Sequence, residues 1–442
     1  MKKILANISL HAVHSSGRAI GYCGTSRIYV DGGISGETVN VEIDRVQRGY
    51  RYGKVTEVAQ VSPYRVQPFC KHYSICGGCP WQHIAYEKQL RLKRGILQNA
   101  LQKYEIDTPE IPQIEASPLL QAYRNKSEYT FAAFSFDGKP FSLGFHAGEK
   151  REQICQIDEC FLQSPIVQQI ADVVRLLAIE NNLSFYDYPS RKGLLRSLQL
   201  RTTTTGKVLL CLDCTTEDER IKSFLQKIIS LFPVISSCFY SIDRGEPIHV
   251  FGETYLTEHC NDFVFRYNPM SFYQPNPLQA QRLCATVREF ANLSGNELVY
   301  DLYTGIGSLA IHVANAAAAV IGIEGNASAI ADAKLNAEIN GIKNAKFFVG
   351  DILHTFNDEF ISLNGAPDLV ILDPPRFGTL IEIKKTILRA TPKKIIYVSC
   401  NPVSLAFDLK QLCEKYRVTA IQPLDMFPHT QHVETIVLLE RN

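Results

Sequence analysis

Between Ile4 and Val61, short runs of alternating apolar and polar positions are broken by Gly17, Gly21, Gly24, Gly32-Gly33, Gly36, Gly49 and Gly53, without helical periodicity. This pattern predicts a small five-stranded β-barrel over residues 1–60. The period becomes helical from about Tyr86 to Lys103, a stretch rich in Lys and Arg. Strand-like runs return between residues 116 and about 265, among them Phe131–Phe136, Leu143–His146, Leu198–Arg201 and Val208–Leu212. They alternate with loops and predict a largely antiparallel central domain over 61–265. From about Asn268 apolar strands alternate with Ala-rich helices, the pattern of an α/β doubly wound sheet over 266–442.

At 442 residues and 45% apolar, the chain is long enough for several cores. No apolar run reaches the length of a membrane-spanning helix, and Met1-Lys2-Lys3-Ile4-Leu5 leads into polar sequence rather than an apolar signal segment. A cytoplasmic protein with no membrane partner is expected. A net charge of +1 argues against a sequence-independent nucleic-acid coat, but leaves room for an enzyme with one basic face. Tyr123-Arg124-Asn125-Lys126 and Leu194-Leu195-Arg196 place basic residues near strand ends, where phosphates could be met.

Thirteen cysteines in such a chain point to metal, cluster or catalytic thiols beside ordinary core cysteines. Cys70, Cys76 and Cys79 are spaced C-x5-C-x2-C, and Gly77-Gly78 allows the tight turns that bring their sulfurs together. A tetrahedral site or a cubane needs one more ligand, and Cys155 and Cys160 come next in the chain. By spacing, zinc and an iron–sulfur cluster fit equally.

The C-terminal region carries the chemistry. Glu297 to Leu309 reads as a strand, a glycine loop (Gly305-Ile306-Gly307) and a helix start, without the third glycine of a dinucleotide fingerprint. Glu324, Asp351 and Asp373 follow successive strands, an arrangement that suits S-adenosylmethionine, with its cationic amino group and donor-rich ribose and adenine. Leu372-Asp373-Pro374-Pro375-Arg376 and Ser399-Cys400-Asn401-Pro402 fall at strand C-terminal ends, where open α/β sheets place their sites. An Asp-Pro-Pro motif also occurs in enzymes that methylate exocyclic amines, but those need no thiol. Methylating a pyrimidine carbon does need one, because C5 of uracil becomes nucleophilic only after a thiolate adds at C6. Cys400 is therefore the candidate nucleophile. Glu434, at the mouth of the last strand, is the candidate base, and His429 and His432 are alternatives for that role or for polarising the uracil carbonyl.

Taken together, Phe272-Tyr273-Gln274-Pro275-Asn276, Asp301–Gly307, Ile323-Glu324, Leu372–Arg376, Ser399–Pro402 and His432–Thr435 resemble the bacterial RNA uracil-5-methyltransferases of the 23S rRNA type. The resemblance spans essentially the whole chain. It implies a Rossmann-like methyltransferase domain in which Gln274, Tyr303, Glu324 and Asp373 bind S-adenosylmethionine, Cys400 is the nucleophile and Glu434 the proton acceptor. It also implies a 4Fe-4S cluster on Cys70, Cys76, Cys79 and Cys160, an RNA partner in the form of 23S rRNA, and a monomer. Ser16–Gly21 and Ile34–Val39 resemble the turns of the TRAM domain, an RNA-binding barrel of the oligonucleotide-binding type. In similar enzymes the segment equivalent to 83–115 packs on the catalytic domain. Two positions depart from the pattern: Thr304 stands where many relatives carry Cys, and Ser197 where His is common. A tRNA substrate is the alternative. An RNA cytosine-5-methyltransferase would carry a second Cys after its Asp/Pro motif, where this chain has Pro375-Arg376, and a radical methylthiotransferase would need a C-x3-C-x2-C triad.

Overall fold

The computed structural model describes residues 3–148 and 150–442. Met1, Lys2 and Glu149, which fall within the ranges assigned to the barrel and the central domain, lie outside the described residues. The strands Lys3–Val13, Ala19–Cys23, Ser26–Asp31, Tyr50–Gln60 and Thr38–Gln47, in that spatial order, close into a barrel. Its interior is filled by Ile8 and Leu10, Ile28 and Val30, and Val39 and Val41, pairs two residues apart that share one face of the pleat.

The cysteine-bearing loop leaves the barrel tied to it. Arg65 forms a two-pronged ion pair with buried Glu37 (2.7 Å on each oxygen), and the Trp81 indole donates to Gly17 O at 2.9 Å. The helix Tyr86–Lys103 follows, and its Leu97, Ala100 and Leu101 sink into the core beneath the catalytic sheet.

The central sheet has seven strands, in the order Ile248–Gly252, Ile235–Ile242, Val208–Cys214, Leu195–Thr202, Lys126–Phe134, Pro140–Ala147 and Lys150–Gln156. Its pairings are antiparallel except Val208–Cys214 with Ile235–Ile242. Two helices, Pro165–Glu180 and Arg220–Leu231, cover one face, where the sequence reading placed only strands and loops. The missed signal in the first was Pro165 at the helix start followed by Val167, Ile170, Val174 and Leu177, spaced three and four apart. Period-two alternation explains the opposite face: Val208, Leu210 and Leu212 point toward these helices, while Leu209 and Cys211 join the core of the catalytic domain.

The hairpin of Leu256–Cys260 and Phe263–Tyr267 also packs into that catalytic core. The boundary drawn after residue 265 thus falls inside a strand, because the hairpin's alternating apolar face belongs to the domain that follows it. The catalytic sheet runs Ala345–Val349, Ala319–Glu324, Leu298–Leu302, Leu369–Leu372, Lys394–Ser399, Glu434–Arg441 and Tyr416–Leu424. The first five strands are parallel, and Glu434–Arg441 is antiparallel to both its neighbours. Among the described residues no helix is long and apolar enough to cross a membrane.

Candidate active site

From the strand Leu298–Leu302 the chain winds toward one edge of the sheet and later returns to Leu369–Leu372 on its other side, so a crevice opens at this switch point. Four neighbouring strands deliver acids to it: Asp351 follows Ala345–Val349, Glu324 ends Ala319–Glu324, Asp301 lies on Leu298–Leu302, and Asp373 follows Leu369–Leu372. Asp351 is otherwise engaged, capping a short helix by accepting from Leu353 N at 2.8 Å.

The glycine loop is shaped by its backbone. Tyr303 is left-handed (φ 68°), and the amides of Tyr303 and Thr304 both donate to Ile323 O, at 3.0 and 3.1 Å. Gly307 is left-handed too, which favours glycine, and an added Cβ would lie a tight 3.3 Å from Ala333 and Phe347. Gln274, Tyr303, Gly305, Asp301 and Asp373 line one pocket. Glu324 borders it through Gly305, whose amide donates to one carboxylate oxygen at 3.3 Å while Asn326 N holds the other at 2.9 Å. The Tyr303 hydroxyl is within 2.9 Å of Thr379 Oγ1, and the Gln274 carbonyl accepts from Asn125 of the central domain at 3.0 Å.

Asp301, to which the sequence reading gave no separate role, is buried in the same wall. One oxygen accepts from Thr304 Oγ1 (2.6 Å) and Ala310 N (3.1 Å), and the other has no partner. Burial pushes its carboxyl up to about 7. A buried acceptor left open in this pocket suits a ligand that brings a donor.

Cys400 follows the strand Lys394–Ser399 directly, and Asn401 ends that strand by capping the next helix, accepting from Val403 N at 3.1 Å. Ser399 pairs with Thr435 in an antiparallel register, and Cys400 and Glu434 are the next residues beyond that pair. Asn401 Nδ2 and Ser404 Oγ both donate to Arg376 O (2.9 and 3.1 Å), which ties the Asp-Pro-Pro-Arg loop to the cysteine turn. Burial raises the Cys400 thiol to about 12, with Glu434 and Asp373 adding to the rise and the Arg376 guanidinium opposing it. Glu434 is fully buried and is driven well above the carboxylate range, first by burial and then by Asp373. Asp373 is raised to about 7 by burial and by Asp301. The arrangement sets the Cys400 thiol near two buried carboxyls, Glu434 and Asp373, beside the cofactor pocket.

The histidines separate. His429 is a buried brace: its amide donates to Gln89 Oε1 (2.9 Å), Nδ1 accepts from Gln89 Nε2 (3.3 Å) and Nε2–H donates to Leu120 O (3.1 Å). His432 sits in the crevice with Nδ1 3.3 Å from Arg376, and burial followed by that charge holds it down to about 4.

Cys70, Cys76, Cys79 and Cys160 line a single cavity of the central domain, with Phe69, Phe145 and Phe161 among its apolar walls. Cys155 does not line it; it packs in the central core with its sulfur 3.9 Å from His72 Nδ1. Of the basic candidates, Arg124 faces this cavity, and Arg196 is held by Asp243 at 2.6 Å and Asp213 at 3.7 Å.

The sequence profile of the tRNA (uracil-5-)-methyltransferase family matches residues 85–442. An uncharacterized RNA methyltransferase of Bacteroides thetaiotaomicron is 41% identical over 96% of this chain and 99% of its own length. Another, of Caldanaerobacter subterraneus, is 34% identical over 99% of both chains. The crystal structure of Pyrococcus abyssi tRNA (uracil-54, C5)-methyltransferase in complex with S-adenosyl-L-homocysteine superposes with a TM-score of 0.78 at 27% identity, covering 98% of this chain and 99% of that one.

Proposed function

Because the chain belongs to the S-adenosylmethionine-dependent RNA (uracil-5-)-methyltransferase family, we propose that it methylates C5 of one uridine in a folded RNA through a Cys400–C6 bond. The observation that carries this reading is the Ser399–Thr435 pair, beyond which Cys400 and Glu434 come next, near enough for the Glu434 charge to act on the thiol. S-adenosylmethionine supplies an electrophilic methyl group on a sulfonium. Gln274, Tyr303, Glu324 and Asp373 hold it, with Glu324 at the place for ribose hydroxyls.

The target base must leave its stack to reach the crevice. Cys400 gives its proton to solvent water and its thiolate adds to C6, the C5–C6 electrons moving onto the C4 oxygen as an enolate, while Glu434 stays an ionised carboxylate for the later step. C5 then takes the methyl group. Glu434 removes the C5 proton, the electrons return to the ring, and the sulfur of Cys400 leaves. Arg376 is the cation beside Cys400 that favours the thiolate, which burial alone disfavours.

A 4Fe-4S cluster on Cys70, Cys76, Cys79 and Cys160 fits the cavity those thiols line. The N-terminal barrel is assigned to RNA as a TRAM domain: Arg27 lies over the ring of Tyr22 and Arg45 over that of Tyr52, pairing cationic and aromatic surface.

On the sequence motifs the substrate is 23S rRNA, bound by a cytoplasmic monomer. Transfer RNA is the second reading, favoured by the near full-length likeness to the Pyrococcus abyssi enzyme. Labelled S-adenosylmethionine incubated with each RNA, followed by nucleoside analysis, tests both. The expected product is 5-methyluridine, in rRNA by the first reading and in tRNA by the second; 5-methylcytidine or an N-methylated base would refute the proposal.

A further inference from the structure

Behind the cofactor pocket, apart from Cys400 and from the four-cysteine cavity, Cys260, Cys284 and His312 bring two sulfurs and a ring nitrogen within 4.8 Å of one another, all of them buried. They come from three elements: the strand Leu256–Cys260, the helix Pro277–Ala291 and the helix Ser308–Ala314 that follows the glycine loop. We propose that this trio, with the Tyr273 hydroxyl as fourth donor, binds a divalent cation of the zinc type.

The donor set is what such an ion takes: two thiolates and an imidazole, with bonds of about 2.0–2.3 Å that place the donors about 3.5–3.8 Å apart. His312 is oriented for it. Its Nδ1–H donates to Ser308 O at 2.7 Å, leaving the Nε2 lone pair on the inner side, in the manner of metal-ligating histidines that bond a backbone carbonyl. Asn261 Nδ2 also lies 3.4 Å from Nε2, but that amide makes its shorter bond of 3.0 Å to Gln281 O. Phe263 and Phe265 pack around the imidazole, with ring centroids 4.8 and 5.7 Å away, so water does not compete for it.

Tyr273 supplies an independent sign. Its buried hydroxyl faces Cys260, and its ring is fixed by stacking on Tyr267 (5.0 Å, 3°).

Binding converts two thiols to thiolates and releases two protons to solvent, so the charges of ion and ligands cancel. The ion crosslinks the hairpin, the helix after Gln274 and the helix after the glycine loop. These elements form the wall of the cofactor pocket, which Cys260, Tyr273 and Cys284 line. The site therefore holds the pocket in shape and takes no part in methyl transfer.

The test uses the full chain loaded with zinc chloride and dialysed to remove loosely held ion, with metal content measured by mass spectrometry and zinc-edge X-ray absorption. One zinc per chain is expected, with two sulfur and two nitrogen or oxygen neighbours. Cys284→Ser and His312→Gln should retain zinc at least tenfold less tightly, while Cys76→Ser retains it as the wild type does. Four sulfur neighbours would place zinc in the other cavity and overturn the proposal, as would failure of the wild type to retain zinc. If the variants do not fold, the wild-type absorption spectrum still decides.

Discussion

Lys384 and Asp408, each 1% exposed, form an ion pair that holds the Asp-Pro-Pro-Arg loop from behind. The same carboxylate accepts from the Tyr397 hydroxyl and from Thr379 N at 2.8 Å, and Thr379 in turn meets the Tyr303 hydroxyl on the cofactor wall. Lys384→Met keeps the apolar stem but leaves a buried carboxylate with two neutral donors in place of its cation. Removing one partner of a buried pair costs about 3–5 kcal/mol. In a domain of this size that corresponds to a fall of roughly 10 °C in melting temperature. The loop also loosens, so S-adenosylmethionine binding should weaken about tenfold, or ~1.4 kcal/mol. Thermal unfolding and titration calorimetry read the two effects. A variant that melts within about 2 °C of wild type, less than the shift from 1 kcal/mol, with unchanged cofactor affinity would refute the reasoning.

Other expectations concern the site itself. Cys400→Ala should bind S-adenosylmethionine normally and transfer no label to RNA; retained transfer would remove the thiol from the mechanism. Glu434→Gln should methylate C5 but fail to lose its proton, leaving protein and RNA covalently joined on denaturing gels, whereas rapid turnover would exclude it as base. Asp301 and Asp373 sit at about 7, above the ordinary carboxylate value, so the folded state binds protons that the unfolded chain has released. Stability of the cofactor-free protein should therefore fall as pH rises from about 4 to about 7. Asp301→Asn should gain on wild type across that window and hold its lead above it; a pH-independent difference in urea melts would contradict the assignment. His429→Ala should lower the melting temperature by loosening Gln89 and Leu120 while leaving the pH profile of methyl transfer unchanged; a shifted profile would give it a chemical role.

Much of this was legible in the sequence because the informative residues lie at strand ends, where local pattern and chemistry coincide. Asp373 and Cys400 each follow a buried β-branched run, and the helix Tyr86–Lys103 has the bounds its periodicity predicts. What stayed hidden depends on distant partners. Spacing left Cys155 and Cys160 equivalent, and only the packing of the strand Lys150–Gln156 turns one into the core and the other into the cavity. His429 and His432, three residues apart, looked alike, yet one bonds Gln89 and the other faces Arg376. Asp301 looked like an ordinary strand residue because its open oxygen is apparent only once Thr304 and Ala310 are placed around it. The hairpin Leu256–Tyr267 has the same alternation as the central strands, so nothing local shows which domain it covers.

The central claim, attack by Cys400 on C6 with removal of the C5 substituent by Glu434, is tested most directly with RNA carrying 5-fluorouridine. After methyl transfer the ring holds fluorine where the proton would be, and no base can take it as a cation. The wild-type enzyme with S-adenosylmethionine should therefore stop as a covalent complex, with the methylated fluorouracil on the Cys400 peptide by mass spectrometry. No adduct, or an adduct on another residue, would contradict the account.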